Sequence, residues 1–205
     1  MIQVKGLLKK YDQGTLYENF DIEFESGKVS VLLGASGSGK TTLIRILLGF
    51  EKYEKGYIIG LEKEKISVVF QENRLIKWMS VYENIELVLK SYLTVEEQRV
   101  KIKEVLELVE LWEYRGCQID ELSGGMQRRI ALARALAYKS KVLILDEPFK
   151  GQDYALKIRL MKKMKKMLQD EPRTTLFITH DMEEAHFLGE ELYILRDKPV
   201  KFYKI

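Results

Sequence analysis

A single cysteine, Cys117, two histidines and three prolines leave this chain of 205 residues without several kinds of chemistry. One thiol makes no internal disulfide and no cysteine-rich zinc site, and two histidines contribute little to a metal cage. The reducing cytosol suits such a chain best. There is no Pro-rich linker, no internal repeat and no low-complexity tract. No apolar run approaches the roughly 18 residues of a membrane span, and the opening MIQVKGLLKK lacks the apolar stretch of a secretion signal. A soluble chain is expected, with any membrane connection made through a partner and no room after Ile205 for a regulatory domain.

What is present is ordinary for a globular protein. Lysine and arginine number 34 against 31 acidic residues, for a net charge of +3, and 46% of residues are hydrophobic. That composition excludes a disordered chain. The mild positive balance does not call for nucleic acid, yet leaves room for acidic ligands. The length predicts one domain over residues 1–205.

Short apolar runs rich in Val, Ile, Leu and Phe recur at 29–33, 67–70, 142–145, 175–179 and 192–195. Near-continuous apolar strands separated by helical patterns are what a parallel sheet covered on both faces requires. The first thirty residues differ: short alternating stretches split by Gly14 and Gly27 predict antiparallel strands. Between 71 and 137 the pattern turns helical, and Ser80 with Glu83 and Thr94 with Glu97 have capping-box spacing. The expected fold is α/β: a P-loop (RecA-like) parallel-sheet core, a small N-terminal antiparallel β lobe, and a helical insertion over about residues 72–137.

Residues 34–41, GASGSGKT, satisfy G-x-x-x-x-G-K-[ST] directly after the strand VSVLL and before the helical TLIRILLG. In such a loop glycines allow backbone N–H groups to turn inward, and the following helix start adds its positive end. Gly34, Ala35, Ser36, Gly37, Ser38 and Gly39 form the cradle, Lys40 reaches the β- and γ-phosphates, Thr41 offers its hydroxyl to Mg²⁺, and Thr42 follows in the first turn. VLILDEP, residues 142–148, puts Asp146 at the C-terminal end of a buried strand, where open α/β sheets place their ligands. Asp146 is the expected Mg²⁺ carboxylate and Glu147 the expected general base, although an acidic pair also simply terminates many strands. LSGGMQRR, residues 122–129, opens a helical run, and a hydroxyl with two glycines there makes either a second anion cradle or a plain cap.

P-loop, LSGGMQ and LILDEP in this order resemble the ATP-binding subunit of an ABC transporter, and the likeness runs over essentially the whole chain. The resemblance implies one ABC ATPase domain that hydrolyses ATP with Mg²⁺ as a head-to-tail dimer, in which Ser123, Gly124 and Gly125 of one copy close on the γ-phosphate held by the other. It also implies that Gln71 senses Mg²⁺ and the attacking water, that His180 in THDMEEA contacts the γ-phosphate, and that Tyr11 stacks on adenine. Tyr11 as a packing residue of the β lobe is the alternative, and His186 reads as a helix-surface residue. Two departures from the family pattern stand out: FKGQD at 149–153 replaces the usual Ser-Ala-Leu-Asp while keeping Asp153, and the stretch 60–67 is short.

The segment QENRLIKWMSVYENI is similar to subunits of the nitrate, sulfonate and taurine importer group, with Lys77 replacing the usual proline before Trp78. Leu75 and Trp78 read either as apolar anchors for a permease or as core. Residues 157–166 carry six basic side chains and no acidic one, as a solvated helix face or a face toward anionic lipid. Cys117, in a Gly-Cys-Gln loop, reads as structural. The resemblance thus implies a cytoplasmic subunit, peripheral on the inner face of the cell membrane, powering import of a small solute through separate transmembrane permease subunits and, indirectly, a solute-binding protein. The alternative is a soluble ABC-type ATPase that remodels a cytosolic complex without transport. No nucleic-acid partner is expected, since no long heptad insertion is present.

Overall fold

The computed structural model describes residues 1–61 and 65–205. In chain order the elements are β1 (Ile2–Tyr11), β2 (Gly14–Phe24), β3 (Val29–Leu33), α1 (Lys40–Leu47), β4 (Lys55–Ile59), β5 (Ile66–Val69), α2 (Val81–Leu89), α3 (Val95–Leu108), α4 (Gly124–Ala137), β6 (Val142–Asp146), α5 (Tyr154–Asp170), β7 (Thr174–Thr179), α6 (Met182–Leu188), β8 (Glu191–Arg196) and β9 (Lys201–Lys204). The fold is α/β with a parallel and an antiparallel sheet, as expected. The chain divides into two units, Met1–Ile66 with Pro172–Ile205, and Ser67–Glu171.

In the first unit β1 lies between β2 and β4 in an antiparallel sheet. Burial alternates along both strands of the hairpin, with Ile2, Val4 and Leu7 on β1 and Tyr17, Phe20, Ile22 and Phe24 on β2 facing the core. That period of two is why the N-terminal segment forms strands with one buried face. Beside it, β3 runs parallel to β7 and β8, with Leu33 opposite both Thr179 and Ile194, and β9 closes against β8 in antiparallel register. Every residue of β3 and β7 is buried, the signature of strands covered on both faces. Each fully buried Val or Leu there contributes about 1.5–3 kcal/mol.

In the second unit β5 neighbours β6, α4 packs on β6, and α2 and α3 pack on α4. Both anticipated capping boxes form: Ser80 and Thr94 accept from the backbone N–H of Glu83 and Glu97, whose carboxylates return to the cap N–H groups. The buried Asn84 fixes the segment before α2, accepting from the N–H of Ile76 and donating to the carbonyls of Ile76, Met79 and Ser80. This leaves Trp78 81% exposed and Leu75 half-buried, so the indole lies outside the core. The basic run lies on α5, whose Leu156, Leu160, Met161, Met164, Met167 and Leu168 are buried. Two of its cations, Arg159 and Lys163, close on Glu110 at 2.9 and 3.1 Å. His186 is exposed on α6 and Cys117 half-buried in a loop. The short stretch expected at 60–67 includes residues 62–64, which lie outside the described residues.

The C-terminal hairpin is held by one buried carboxylate. Glu191 at the start of β8 accepts from Lys204 Nζ at 2.6 Å and from Ser30 Oγ at 2.8 Å. Burial opposes its charge, but these hydrogen bonds outweigh it and hold the carboxyl at about 2, below the ordinary 4.5. Because the folded value is the lower one, the stabilisation is fully present above about pH 4.5 and fades as pH falls toward about 2. Glu191→Gln is therefore expected to lower the unfolding free energy by about 1–3 kcal/mol near neutrality and to flatten its pH dependence over that window. Urea titrations at a series of pH values measure this, and superimposable pH profiles would remove Glu191 from the role.

Candidate functional site

In the first unit the loop at 34–39 joins β3 to α1. The sequence turns there because Gly39 adopts φ +95°, in the left-handed region, and its carbonyl accepts from the phenol of buried Tyr17 at 2.8 Å. A Cβ at Gly39 would stand 2.7 Å from that same oxygen, so side-chain-free backbone is what the packing admits. Burial raises the Tyr17 pKa, which keeps the phenol a donor. Lys40, the first residue of α1, is 7% exposed, and its ammonium donates to the carbonyls of Gly34 and Ala35 at 2.6 and 2.9 Å and to Ser38 Oγ at 3.2 Å. A positive charge is thus wrapped by the loop while Ala35, Ser36, Gly37 and Thr41 remain exposed, with Ser38 and Thr42 half-buried. No acidic residue occupies the first turn of α1. The positive end of a helix there favours an anion.

His180 follows β7 directly and is exposed. Since Leu33 pairs with Thr179 in parallel register, the loop and His180 leave neighbouring strands at the same end. The turn carrying His180 is built around Thr179, whose hydroxyl donates to buried Glu184 at 2.7 Å and accepts from the N–H of Asp181 at 3.0 Å. Tyr11, at the tip of the β1–β2 hairpin, is 46% exposed and lines an open cavity of about 700 Å³ together with Glu18, Lys198 and Pro199. Lys9 lies 4.6 Å from its ring centroid. Tyr11 therefore has an accessible face, and packing in the lobe core falls to Tyr17.

In the second unit Asp146 ends β6 and is 5% exposed. Glu147 takes φ +49°, an uncommon conformation that costs a non-glycine residue about 1–2 kcal/mol. Its carboxylate pairs with Lys150 at 2.9 Å. Gln71 is exposed two residues past β5. Arg128 connects the two: one guanidinium nitrogen donates to the carbonyl of Gln71 and the other to that of Glu147, the latter at 3.0 Å. Ser123 caps α4, accepting from the N–H of Met126, and is exposed with Gly124. Gly125 is half-buried, and its carbonyl accepts from Gln152 at 3.0 Å.

Two kinds of residue escaped sequence reading. Tyr17 is one of eleven tyrosines and Arg128 one of 34 basic residues. Only alternation along β2 marks Tyr17 as inward-facing, and nothing local singles out Arg128. Among the described residues, no group of three or more His, Cys, Asp or Glu side chains forms a metal cluster.

Residues 17–150 match the family model described as "ABC transporter". The chain is 35% identical over 206 residues to the spermidine/putrescine import ATP-binding protein PotA of Pasteurella multocida, covering 96% of this chain and 56% of that protein. It is 33% identical over 210 residues to the Fe(3+) ions import ATP-binding protein FbpC of Fusobacterium nucleatum, covering 98% and 57%. It therefore spans little more than half the length of either. Among solved structures it is similar to the dimeric structure of MJ0796, a bacterial ABC transporter cassette, with a TM-score of 0.87 and 29% identity over 100% of this chain and 98% of that one. The post-hydrolysis state of the same cassette bound to ADP and Pi matches equally, with a TM-score of 0.87.

The loop geometry separates two glycines. Gly37 has φ +79° with open space around it, whereas Gly39 has both a positive φ and the Tyr17 oxygen in the way. Gly37→Ala is expected to cost about 1 kcal/mol of backbone strain, and Gly39→Ala at least ~1 kcal/mol more. Chemical denaturation of the two variants side by side gives the ordering, and equal losses would refute the packing argument.

Proposed function

The chain belongs to the ABC transporter family, and from that premise we propose that residues 1–205 form a single ATPase domain that binds and hydrolyses ATP with Mg²⁺. The observation that carries this is the Lys40 ammonium drawn into its own loop, at a helix start free of acidic side chains. That arrangement suits the terminal phosphates of a nucleotide. Gly34 to Thr42 would line the phosphates, and the exposed ring of Tyr11 would stack on the base. The available metal donors are all oxygen, the Thr41 hydroxyl and the Asp146 carboxylate with Gln71, a set that suits Mg²⁺ completed by phosphate oxygens and water. Bound there, Mg²⁺ would neutralise charge on the phosphates.

Glu147 is the proposed general base, accepting a proton from the attacking water, and His180 and Lys40 the groups that stabilise charge at the γ-phosphate. Ser123, Gly124 and Gly125, at an α4 start that also lacks acidic residues, would serve a second copy of the chain. The likeness to a dimeric cassette supports that pairing, and the likeness to import proteins favours transport over remodelling of a soluble complex. The partners we propose are transmembrane permease subunits, with a solute-binding protein reached through them, and a peripheral position on the inner membrane face. No helix among the described residues is long and apolar enough to cross a membrane.

Glu147→Gln is expected to retain MgATP binding while hydrolysis falls by about 100-fold or more. Fluorescent-nucleotide titration and phosphate release measure the two sides, and unchanged turnover would take Glu147 out of the role of base. Affinity capture of the same variant from detergent-solubilised native cells with MgATP tests the partner. A polytopic membrane protein is the expected catch, and recovery of soluble proteins alone, with a membrane-complex control working, would favour remodelling.

A further inference from the structure

The Arg128 guanidinium spans the backbone of two residues assigned above, one to the base and one to metal and water. One nitrogen donates to the carbonyl of Gln71 and the other to that of Glu147. These residues leave two strands that are neighbours in the sheet, and 76 positions of sequence separate them (147 − 71). The planar fork fixes the distance between the two carbonyls, because both nitrogens belong to one rigid group. We infer that Arg128 is a positioning residue: it sets the proposed general base Glu147 and the proposed water- and metal-sensing Gln71 in one register.

This rests on the catalytic roles proposed above. Neither loop can hold this register by regular structure, since Gln71 lies beyond the end of β5 and Glu147 is in the left-handed region just past β6. The next turns of α4 add to the clamp on the glutamine side, where Arg134 donates to the carbonyl of Arg74 at 2.8 Å. On the glutamate side the Glu147 carbonyl also accepts from the N–H of Lys150 at 3.2 Å, and Arg128 ties that turn to α4. Its loss would free the base and the glutamine from each other while leaving the phosphate loop, in the other unit, untouched.

The test compares Arg128→Met and Arg128→Lys with the unmutated chain and with Glu147→Gln in one steady-state MgATPase series. Loss of register is expected to lower kcat by about 10- to 100-fold while KM for MgATP moves less than about threefold. Arg128→Lys should recover little, because a point ammonium keeps the charge but cannot span two carbonyls. Amide hydrogen exchange should accelerate together at 71–75 and 147–150 in both variants, with the 34–42 loop unchanged. A kcat within twofold of the unmutated chain, while Glu147→Gln is impaired, would overturn the role of Arg128 and leave the functional reading standing. Full recovery by Arg128→Lys would overturn it too, reducing Arg128 to its charge. If the unmutated chain neither binds nor hydrolyses MgATP, the functional reading fails, and this inference with it.

Discussion

Carbonyls that regular structure does not pair are what the second unit is built around, and arginines of α4 take them. Among the described residues of that unit, three non-glycine residues have positive φ: Arg74, Glu110 and Glu147. Each sits where an α4 guanidinium meets the backbone: Arg134 at the Arg74 carbonyl, Arg129 at that of Val109, and Arg128 at that of Glu147. A left-handed residue costs about 1–2 kcal/mol, and a hydrogen bond from a charged donor returns a similar amount, about 1.5–3 kcal/mol. The two terms are of the same size, so each guanidinium contact offsets the strain beside it. Burial pushes the Arg129 and Arg134 pKa values down, so the same contacts also settle charges that water would otherwise hold.

The first unit solves the same problem differently. Where its phosphate loop needs left-handed backbone it uses glycine, which bears no strain cost, and spends its charged group Lys40 on binding the loop's own carbonyls. Tyr17 then supplies the fixed point beneath Gly39. This division follows from the chemistry each part is suited to. Backbone amides suited to close approach by an anion need bare glycine, whereas the proposed base Glu147 needs its side chain and carries the strain of left-handed backbone.

Much of this was legible in the sequence, for reasons particular to the elements concerned. The buried strands announced themselves as apolar runs, so 29–33 coincides with β3 and 175–179 falls one residue short of β7. The capping boxes were readable because their partners lie three residues apart. Interactions between distant residues were not: Glu110 meets Arg159 and Lys163 across about fifty positions, so the basic run on α5 looked more uniformly unpaired than it is. Trp78 was ambiguous because its exposure is decided by Asn84, whose side chain satisfies the preceding loop instead of leaving it to collapse inward. Tyr11 and Tyr17 are alike in sequence, and only register within the hairpin gives one an open cavity and the other the core.

The segment FKGQD, one of the two departures from the family pattern, shows how such a substitution is absorbed. Phe149 is buried, Gln152 donates to the carbonyl of Gly125, and Asp153 caps α5 through the N–H of Leu156. With Arg128 reaching back from α4 to Glu147, these contacts close a circuit: Glu147 through the turn to Gln152, across to Gly125, one helical turn along α4 to Arg128, and back to Glu147. Every link is a hydrogen bond or a few residues of fixed backbone, so the start of α4 and the backbone of Glu147 cannot shift independently. The glycine-marked start of α4 and the carboxylate proposed as the base are thereby held as one body.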